Sequence, residues 1–348
     1  MSWEEILDRY GVLIEEKVKG FFEETMNETI GYHPFIGEVY SNIREFVLRR
    51  GKRLASCSTL LAYKGYTGNI NDQILRACVG IELYRHCILA HDDLIDRDAF
   101  RRGGKTLHRL SAEGYDRRLG EGTAVFAGDI LYALALQGLI TSGFSQEKLG
   151  KVVHLLSEGY CAVNESQILD LLFEYKEPNV DEWYCMASKR AASLFKVTIL
   201  AGAILGNAPE WDLQVLGEAA VHVGYSFDIQ DDIIDTFASQ EEYGRIPGGD
   251  LARGKKPLHM VYTLELADRR QLETLKEMTR RRHISQRNLQ DVRAIIRECG
   301  ALGAAKEESR KHAERAKALI AQTALSGEAK GFFSSFISYI EESLNWYK

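Results

Sequence analysis

The chain has 348 residues, 45% of them hydrophobic and 27% charged, with only 5 prolines and no Ser-, Pro- or Gly-rich linker. This excludes a disordered, collagen-like or disulfide-framed protein and leads us to expect one large domain over residues 1–348. Its 44 basic and 50 acidic residues give a net charge of −6, and the basic residues gather in no stripe, so nucleic acid is not an expected partner.

The first segment, Met1 to Phe22, places Ile6, Tyr10, Leu13, Ile14 and Val18 at helical spacing and is acidic where a signal peptide is basic, so a cytoplasmic location is expected. Breaks rich in Gly, Pro, Asn and Ser fall near 31–34, 65–71, 101–105, 142–145, 176–179, 206–209 and 243–249 and delimit about ten to twelve helices. The longest apolar run, Ala124 to Ile140, is interrupted by Gly128, Asp129, Gln137 and Gly138, short of the ~20 residues that span a bilayer, so no membrane span is expected. Helical spacing returns at Leu213, Leu216, Ala220, Val223 and Phe227, and again at Phe332, Phe336, Ile337, Ile340 and Leu344. Alternating strand patterns are hard to find. The expected fold is all-α: a single large helical bundle with a central cavity between facing helices. Cys57, Cys78, Cys87, Cys161, Cys185 and Cys299 lack CxxC spacing and read as reduced, buried thiols.

Two acidic clusters interrupt these apolar helices. In His91-Asp92-Asp93-Leu94-Ile95-Asp96, Asp92 and Asp96 lie one helical turn apart and present two carboxylates on one face. A lone DDxxD is more readily read as a solvated helix end carrying negative charge. The spacing recurs, however, at Asp231-Asp232-Ile233-Ile234-Asp235, again in an apolar helix. Mg²⁺ prefers oxygen ligands and is usually held by one or two carboxylates plus phosphate oxygens, so two facing clusters suit a metal–diphosphate complex. Arg101, Arg102, Lys189, Arg190, Lys255 and Lys256 lie near the clusters in sequence. Each alone reads as a snorkelling surface residue; together they supply charge for a diphosphate.

With these motifs in place the chain resembles a trans-isoprenyl diphosphate synthase of the polyprenyl synthetase family. The resemblance runs from about Arg50 to Lys256 and includes Gly51-Lys52-Arg53-Leu54, both aspartate motifs, Arg101-Arg102-Gly103, Gly128-Asp129, Gln167 with Asp170, Lys189, Phe227, and Asp250 to Lys255. It implies the type I isoprenoid synthase fold and a chain-elongating prenyltransferase that condenses an allylic diphosphate with isopentenyl diphosphate. It also implies three Mg²⁺ per active site, with Mn²⁺ able to substitute, and a homodimer. By this resemblance Asp92, Asp96, Asp231 and Asp235 hold metal. Arg101, Lys189 and Lys255 contact the allylic diphosphate, Lys52 and Arg102 the acceptor, and Gln167 and Phe227 line the substrate site.

The chain departs from the pattern at four positions. The second Arg of the GKRLRP motif is Ala55, the expected His seven residues before Asp92 is Arg85, and Lys189-Arg190 and Asp228 replace Lys-Thr and Gln. Arg85 could compensate for Ala55, or the change could mark another acceptor; Arg190 and Asp228 could pair with each other. Two other readings therefore stay open. One is an enzyme that ionises a single allylic diphosphate without normal acceptor binding, and the other is a non-catalytic subunit. Product length in this family is limited by side chains upstream of the first motif. With Cys87 and Ile88 too small to close the tunnel, Tyr84 is the expected floor and a C20 to C25 chain the expected product.

Overall fold

The computed structural model describes residues 2–29, 31–239, 247–279 and 286–342. In chain order the elements are α1 (Trp3–Thr29), α2 (Pro34–Leu48), α3 (Leu54–Thr67), α4 (Asp72–Ile95), β1 (Phe100–Arg101), β2 (Gly104–Lys105), α5 (Leu107–Leu110), α6 (Arg117–Ile140) and α7 (Gln146–Phe173). Next come α8 (Val180–Ala191), a π-helical turn (Ala192–Lys196), α9 (Val197–Leu205), α10 (Glu210–Phe237), α11 (Gly249–Arg253), α12 (Leu258–Leu266), α13 (Arg269–Thr279), α14 (Gln286–Glu298), α15 (Ala301–Gln322) and α16 (Gly327–Glu342). The all-α expectation holds, with one two-residue hairpin, β1 against β2, as the exception among the described residues. Among the described residues the expected ten to twelve helices become sixteen, in part because the chain after 249 divides again at 254–257, 267–268, 299–300 and 323–326, beyond the last expected break. The break expected near 243–249 lies partly outside the described residues, as does Leu344.

The chain forms two compact units. The first comprises Met1–Leu155, Thr198–Pro209 and Leu325–Ala329. Its central pair is α4 and α6, which cross at glycine: a Cβ at Gly80 would lie 2.6 Å from the Ala135 carbonyl and one at Gly138 3.1 Å from the Gly80 nitrogen. Side-chain caps set where the two helices start. Asn71 Oδ1 accepts from the Ile74 N–H at 3.0 Å, and Asp116 Oδ1 from the Leu119 N–H at 2.9 Å. Helix α6 runs unbroken through the residues expected to interrupt it, and is the one helix among the described residues long and apolar enough to cross a bilayer. Its Ala124, Leu131, Leu134 and Leu139 are instead buried, and it packs on α4 as a core helix.

The second unit comprises Leu156–Val197, Glu210–Ala324 and Lys330–Lys348. Helix α10 is its axis, packed against α15, α8 and the π turn. Phe173, Trp183, Met186, Ile229, Ile233, Leu258 and Val261 form one buried apolar cluster beneath the second aspartate motif. The last turn of α10 is closed by Arg293, which donates to the carbonyls of Thr236 (2.5 Å) and Ala238 (3.2 Å).

All six thiols are free, but only Cys57, Cys78 and Cys87 are buried. Cys161 and Cys185 are exposed and Cys299 is half-buried, so the expectation of six buried thiols is corrected: Cys161 and Cys185 sit on the polar faces of α7 and α8.

Candidate active site

In the first unit the aspartate motif ends α4. The Asp96 N–H bonds to the Asp92 carbonyl at 2.8 Å, so the two residues are one turn apart as expected, and Asp96 is buried. With Asp93 and Asp98 they put four carboxylates at a helix C-terminus, where the backbone dipole already disfavours negative charge. Arg101, on the hairpin, is the cation set among them. It binds Asp93 through a short contact, Asp92 at 3.2 Å and Asp98 at 3.8 Å. Asp93 went unremarked as a site residue in the sequence, yet it is the most deeply placed. It is 1% exposed, its Oδ2 has no hydrogen-bond partner among the described residues, and burial raises its pKa to about 7, with Asp92 and Asp98 adding to the effect and Arg101 opposing it.

The expected acceptor residues lie in the same unit. Arg102 donates to His86, and burial, followed by the nearby charges of Arg85, Arg53 and Arg101, lowers its pKa to about 10 while Glu82 opposes the shift. Arg85 is half-buried on α4. Lys52 places its ammonium 4.7 Å from the centre of the Trp3 ring. Arg53, the next residue, is committed to Glu82 at 2.9 Å and to the Val47 carbonyl at 2.7 Å. Ala55 is buried. Tyr84 has no exposed surface.

The second unit gathers a different set. Arg190, at the end of α8, reaches Asp228 at 3.3 Å and Asp232 at 3.7 Å, which realises the pairing left open by the sequence. Despite burial, these carboxylates hold its pKa above the ordinary value. Asp232 is raised well above the usual carboxylate range by burial first, with Asp250, Asp228 and Asp231 adding to the effect and Arg190 opposing it. Lys255 lies 3.3 Å from Asp170 and 3.7 Å from Asp250. Asp170, Arg190, Asp232, Asp250, Lys255 and Lys256 line one small cleft whose apolar wall is Trp183, Met186 and Pro257. Asp231 is half-buried on α10. Asp235 is buried and accepts from the Asp250 N–H at 3.2 Å, which ties α11 to α10. Lys189 makes a short surface pair with Glu165, both about half exposed. Gln167 is half-buried on α7, and Phe227 packs on Phe195 with ring centres 5.2 Å apart.

The model of the polyprenyl synthetases matches residues 37–297, three quarters of the chain and both aspartate motifs. The chain belongs to the polyprenyl synthetase family. A geranylgeranyl diphosphate synthase of Methanosarcina mazei is 30% identical over 284 residues, 80% of this chain and 82% of that protein. A geranylfarnesyl diphosphate synthase of Aeropyrum pernix is 29% identical over 298 residues, 84% and 90% of the two chains. The crystal structure of a geranylgeranyl pyrophosphate synthase from Corynebacterium glutamicum, complexed with isoprenyl diphosphate and magnesium, shares the fold with a TM-score of 0.89 over 98% of this chain and 99% of that one, at 21% identity.

The polar residues of this polyprenyl synthetase fit a hard divalent cation. Their donors are carboxylate oxygens, Asp93 keeps a buried oxygen without a partner among the described residues, and the pKa of Asp232 is raised by burial first and then by Asp250, Asp228 and Asp231, carboxylates whose charge a cation would offset. Among the described residues no three His, Cys, Asp or Glu side chains converge on one point, so such an ion needs ligands from outside the protein to complete its shell. Of the residues the sequence did not single out, Asp93 sits inside a motif already noticed. Glu82, His86 and Arg49, by contrast, carry no chemical signature in the chain.

Proposed function

We propose that this polyprenyl synthetase is a chain-elongating prenyltransferase that joins an allylic diphosphate to isopentenyl diphosphate, with a product of C20 to C25, and that it depends on Mg²⁺ or Mn²⁺. The observation that carries the proposal is the composition of each cluster, in which carboxylates outnumber but alternate with fixed guanidinium and ammonium groups. Arg101 sits among Asp92, Asp93 and Asp98, and Arg190 and Lys255 among Asp170, Asp228, Asp232 and Asp250. Such a site binds neither an anion nor a cation alone well, but suits the two together.

Asp92, Asp96 and Asp231 are the residues proposed to hold Mg²⁺, with Asp235 in support through α11. When bound, the metal neutralises negative charge on the diphosphate as it departs. Arg101, Lys189 and Lys255 are proposed to bind the allylic diphosphate and Lys52, Arg85 and Arg102 that of the acceptor, with Gln167 and Phe227 beside the allylic chain. In the reaction the allylic carbon–oxygen bond breaks with its electron pair leaving on the diphosphate. The acceptor double bond supplies the pair for the new carbon–carbon bond, and a proton is lost from the acceptor to the departing diphosphate. The protein's part is to place preorganised positive charge where negative charge develops and to keep water from the cation. Tyr84, buried two turns before Asp92, is the proposed floor for the growing chain.

The chain is further proposed to be cytoplasmic and to form a homodimer through α6, which leaves Phe126 67% and Ile140 60% exposed. The reaction is tested by incubating the purified protein with Mg²⁺ and farnesyl diphosphate, with and without isopentenyl diphosphate. Elongated product only when both substrates are present supports the proposal. A product from farnesyl diphosphate alone, or none at all, refutes it.

A further inference from the structure

The Arg101–Arg102 hairpin is fastened to the first unit by two different devices. Arg49, at the end of α2, donates to the carbonyls of Arg101 at 3.1 Å and Lys105 at 2.7 Å, and its guanidinium occupies the space that a Cβ on Gly104 would need. That fixes the backbone. The side chain of Arg102 is fixed by His86 of α4, whose Nε2 lies 3.1 Å from Arg102 Nη1. A guanidinium can only donate, so Nε2 is the acceptor and the ring proton sits on Nδ1, which donates to the Glu82 carbonyl at 2.8 Å. His86 is therefore neutral and held in one tautomer. It is 1% exposed, with the Phe46 ring packed edge-on at 5.7 Å, and that same ring carries the Arg49 guanidinium 5.3 Å from its centre.

A second observation concerns the backbone. Arg53 and Arg102 both have positive φ, 48° and 50°, a region that residues with a Cβ adopt only under constraint. One turn of α4 holds both: Glu82 takes Arg53, and His86 takes Arg102. The outcome is that the Arg102 guanidinium lies on the Gly51 backbone, 2.8 Å from where a Cβ of Gly51 would stand, next along the chain from Lys52. Arg53, Arg85 and Arg101 add their charge around it. Gathering these cations at the cost of strain and repulsion is the preparation a dianionic group requires, and a guanidinium held from behind can meet a phosphate with two parallel N–H bonds.

We propose that His86 is a positioning residue for the acceptor's diphosphate, holding Arg102 over the Gly51 backbone so that its outer donors meet a phosphate. This rests on the proposed role of Arg102 in the condensation. The imidazole stands one position after the place where the family pattern has its histidine, and there it supports the cation instead of facing the ligand.

The test uses the full chain with Mg²⁺ and initial rates measured against both substrates. His86→Leu is expected to raise KM for isopentenyl diphosphate about tenfold, with KM for the allylic diphosphate and kcat within about twofold of wild type. His86→Gln, whose amide oxygen can accept from Arg102, should recover to within about threefold. Should His86→Leu fail to fold, His86→Asn, which is too short to reach Arg102, takes its place with the same expectation. Equal rises in both KM values, a loss confined to kcat, or a Gln variant no better than the apolar one would each overturn the proposal. A wild-type protein that condenses nothing refutes the reaction instead. In that event calorimetric binding of inorganic diphosphate to wild type and the two variants decides the role of His86: weaker binding for Leu but not Gln supports it, and equal binding ends it.

Discussion

Arg190 can stand 3.3 Å from Asp228 because the residue one turn earlier on α10 is Gly224, where any Cβ would collide with the carbonyl of Ala191. The end of α8 therefore rests on the bare backbone of α10, and the guanidinium next to Ala191 reaches the carboxylates that follow. Gly224→Val should separate the two helices, lower stability by ~1–3 kcal/mol in urea denaturation, and reduce kcat/KM for the allylic substrate about tenfold or more. A variant that keeps wild-type stability and kinetics would show that the contact has no such role.

Asp231 and Asp235 share a motif but should behave differently. Asp231→Ala and Asp92→Ala are expected to lower kcat by about two orders of magnitude or more while leaving the unfolding midpoint nearly unchanged, and EDTA should abolish wild-type turnover. Asp235→Ala should in addition cost ~1–2 kcal/mol of stability, since it strips the Asp250 N–H of its partner. Full turnover in EDTA would sink the metal requirement, and equal stabilities for the two alanine variants would remove the structural role of Asp235.

Tyr84 has no exposed surface and is among the largest fully buried side chains, so Tyr84→Ala leaves a cavity and should cost about 3 kcal/mol. A helical turn rises ~5.4 Å, close to one isoprene unit, so the same change should lengthen the product by at least one unit if the ring is the floor. Chromatography of the extracted products separates the cases. Lower stability with an unchanged product would make Tyr84 ordinary core.

His259 is 0% exposed, with Nε2 2.9 Å from Thr236 Oγ1, and burial lowers its pKa to about 3. Its ordinary value is ~6.5, so below that pH the unfolded chain takes up a proton that the folded chain refuses, and stability drains away as pH falls toward 3. Asp93, raised to about 7, acts in the opposite sense, gaining stability as pH falls through that value. Comparison with a variant isolates the histidine. The stability difference between wild type and His259→Gln should shift by ~2 kcal/mol between pH 7 and pH 5 in favour of the variant. A difference independent of pH would show that the imidazole is protonated in place.

The helical periodicity and the Gly/Pro breaks were enough to read the all-α architecture and most element ends, because amphipathic faces and turn residues act locally. Both DDxxD motifs were legible for the same reason: carboxylates stacked one turn apart in apolar helices are conspicuous against their neighbours. What escaped were the partners fixed by tertiary packing. The Arg190–Asp228 pair is among the readings the sequence leaves open, but that the adjacent Lys189 turns instead to Glu165 at the surface is set by packing alone. His86 reads as one more residue of a buried helix until the hairpin carrying Arg102 is folded against it. Cys161 and Cys185, read as buried, fell on the polar outer faces of amphipathic helices.

The Arg49 clamp has an implication for how this hairpin can diverge. Its grip is on the carbonyl oxygens of Arg101 and Lys105, which every amino acid supplies alike, so the identity of side chains such as Phe100, 62% exposed, is invisible to it. Gly104 is barred from change because a methyl group there would displace the guanidinium, and Gly103, at φ 79°, because a side chain would strain its backbone. Replacement libraries over 100–105 should therefore accept many residues at Phe100 and Lys105 and almost none at Gly103 or Gly104, giving the tip freedom to explore new surface chemistry while Arg101 and Arg102 remain where they are.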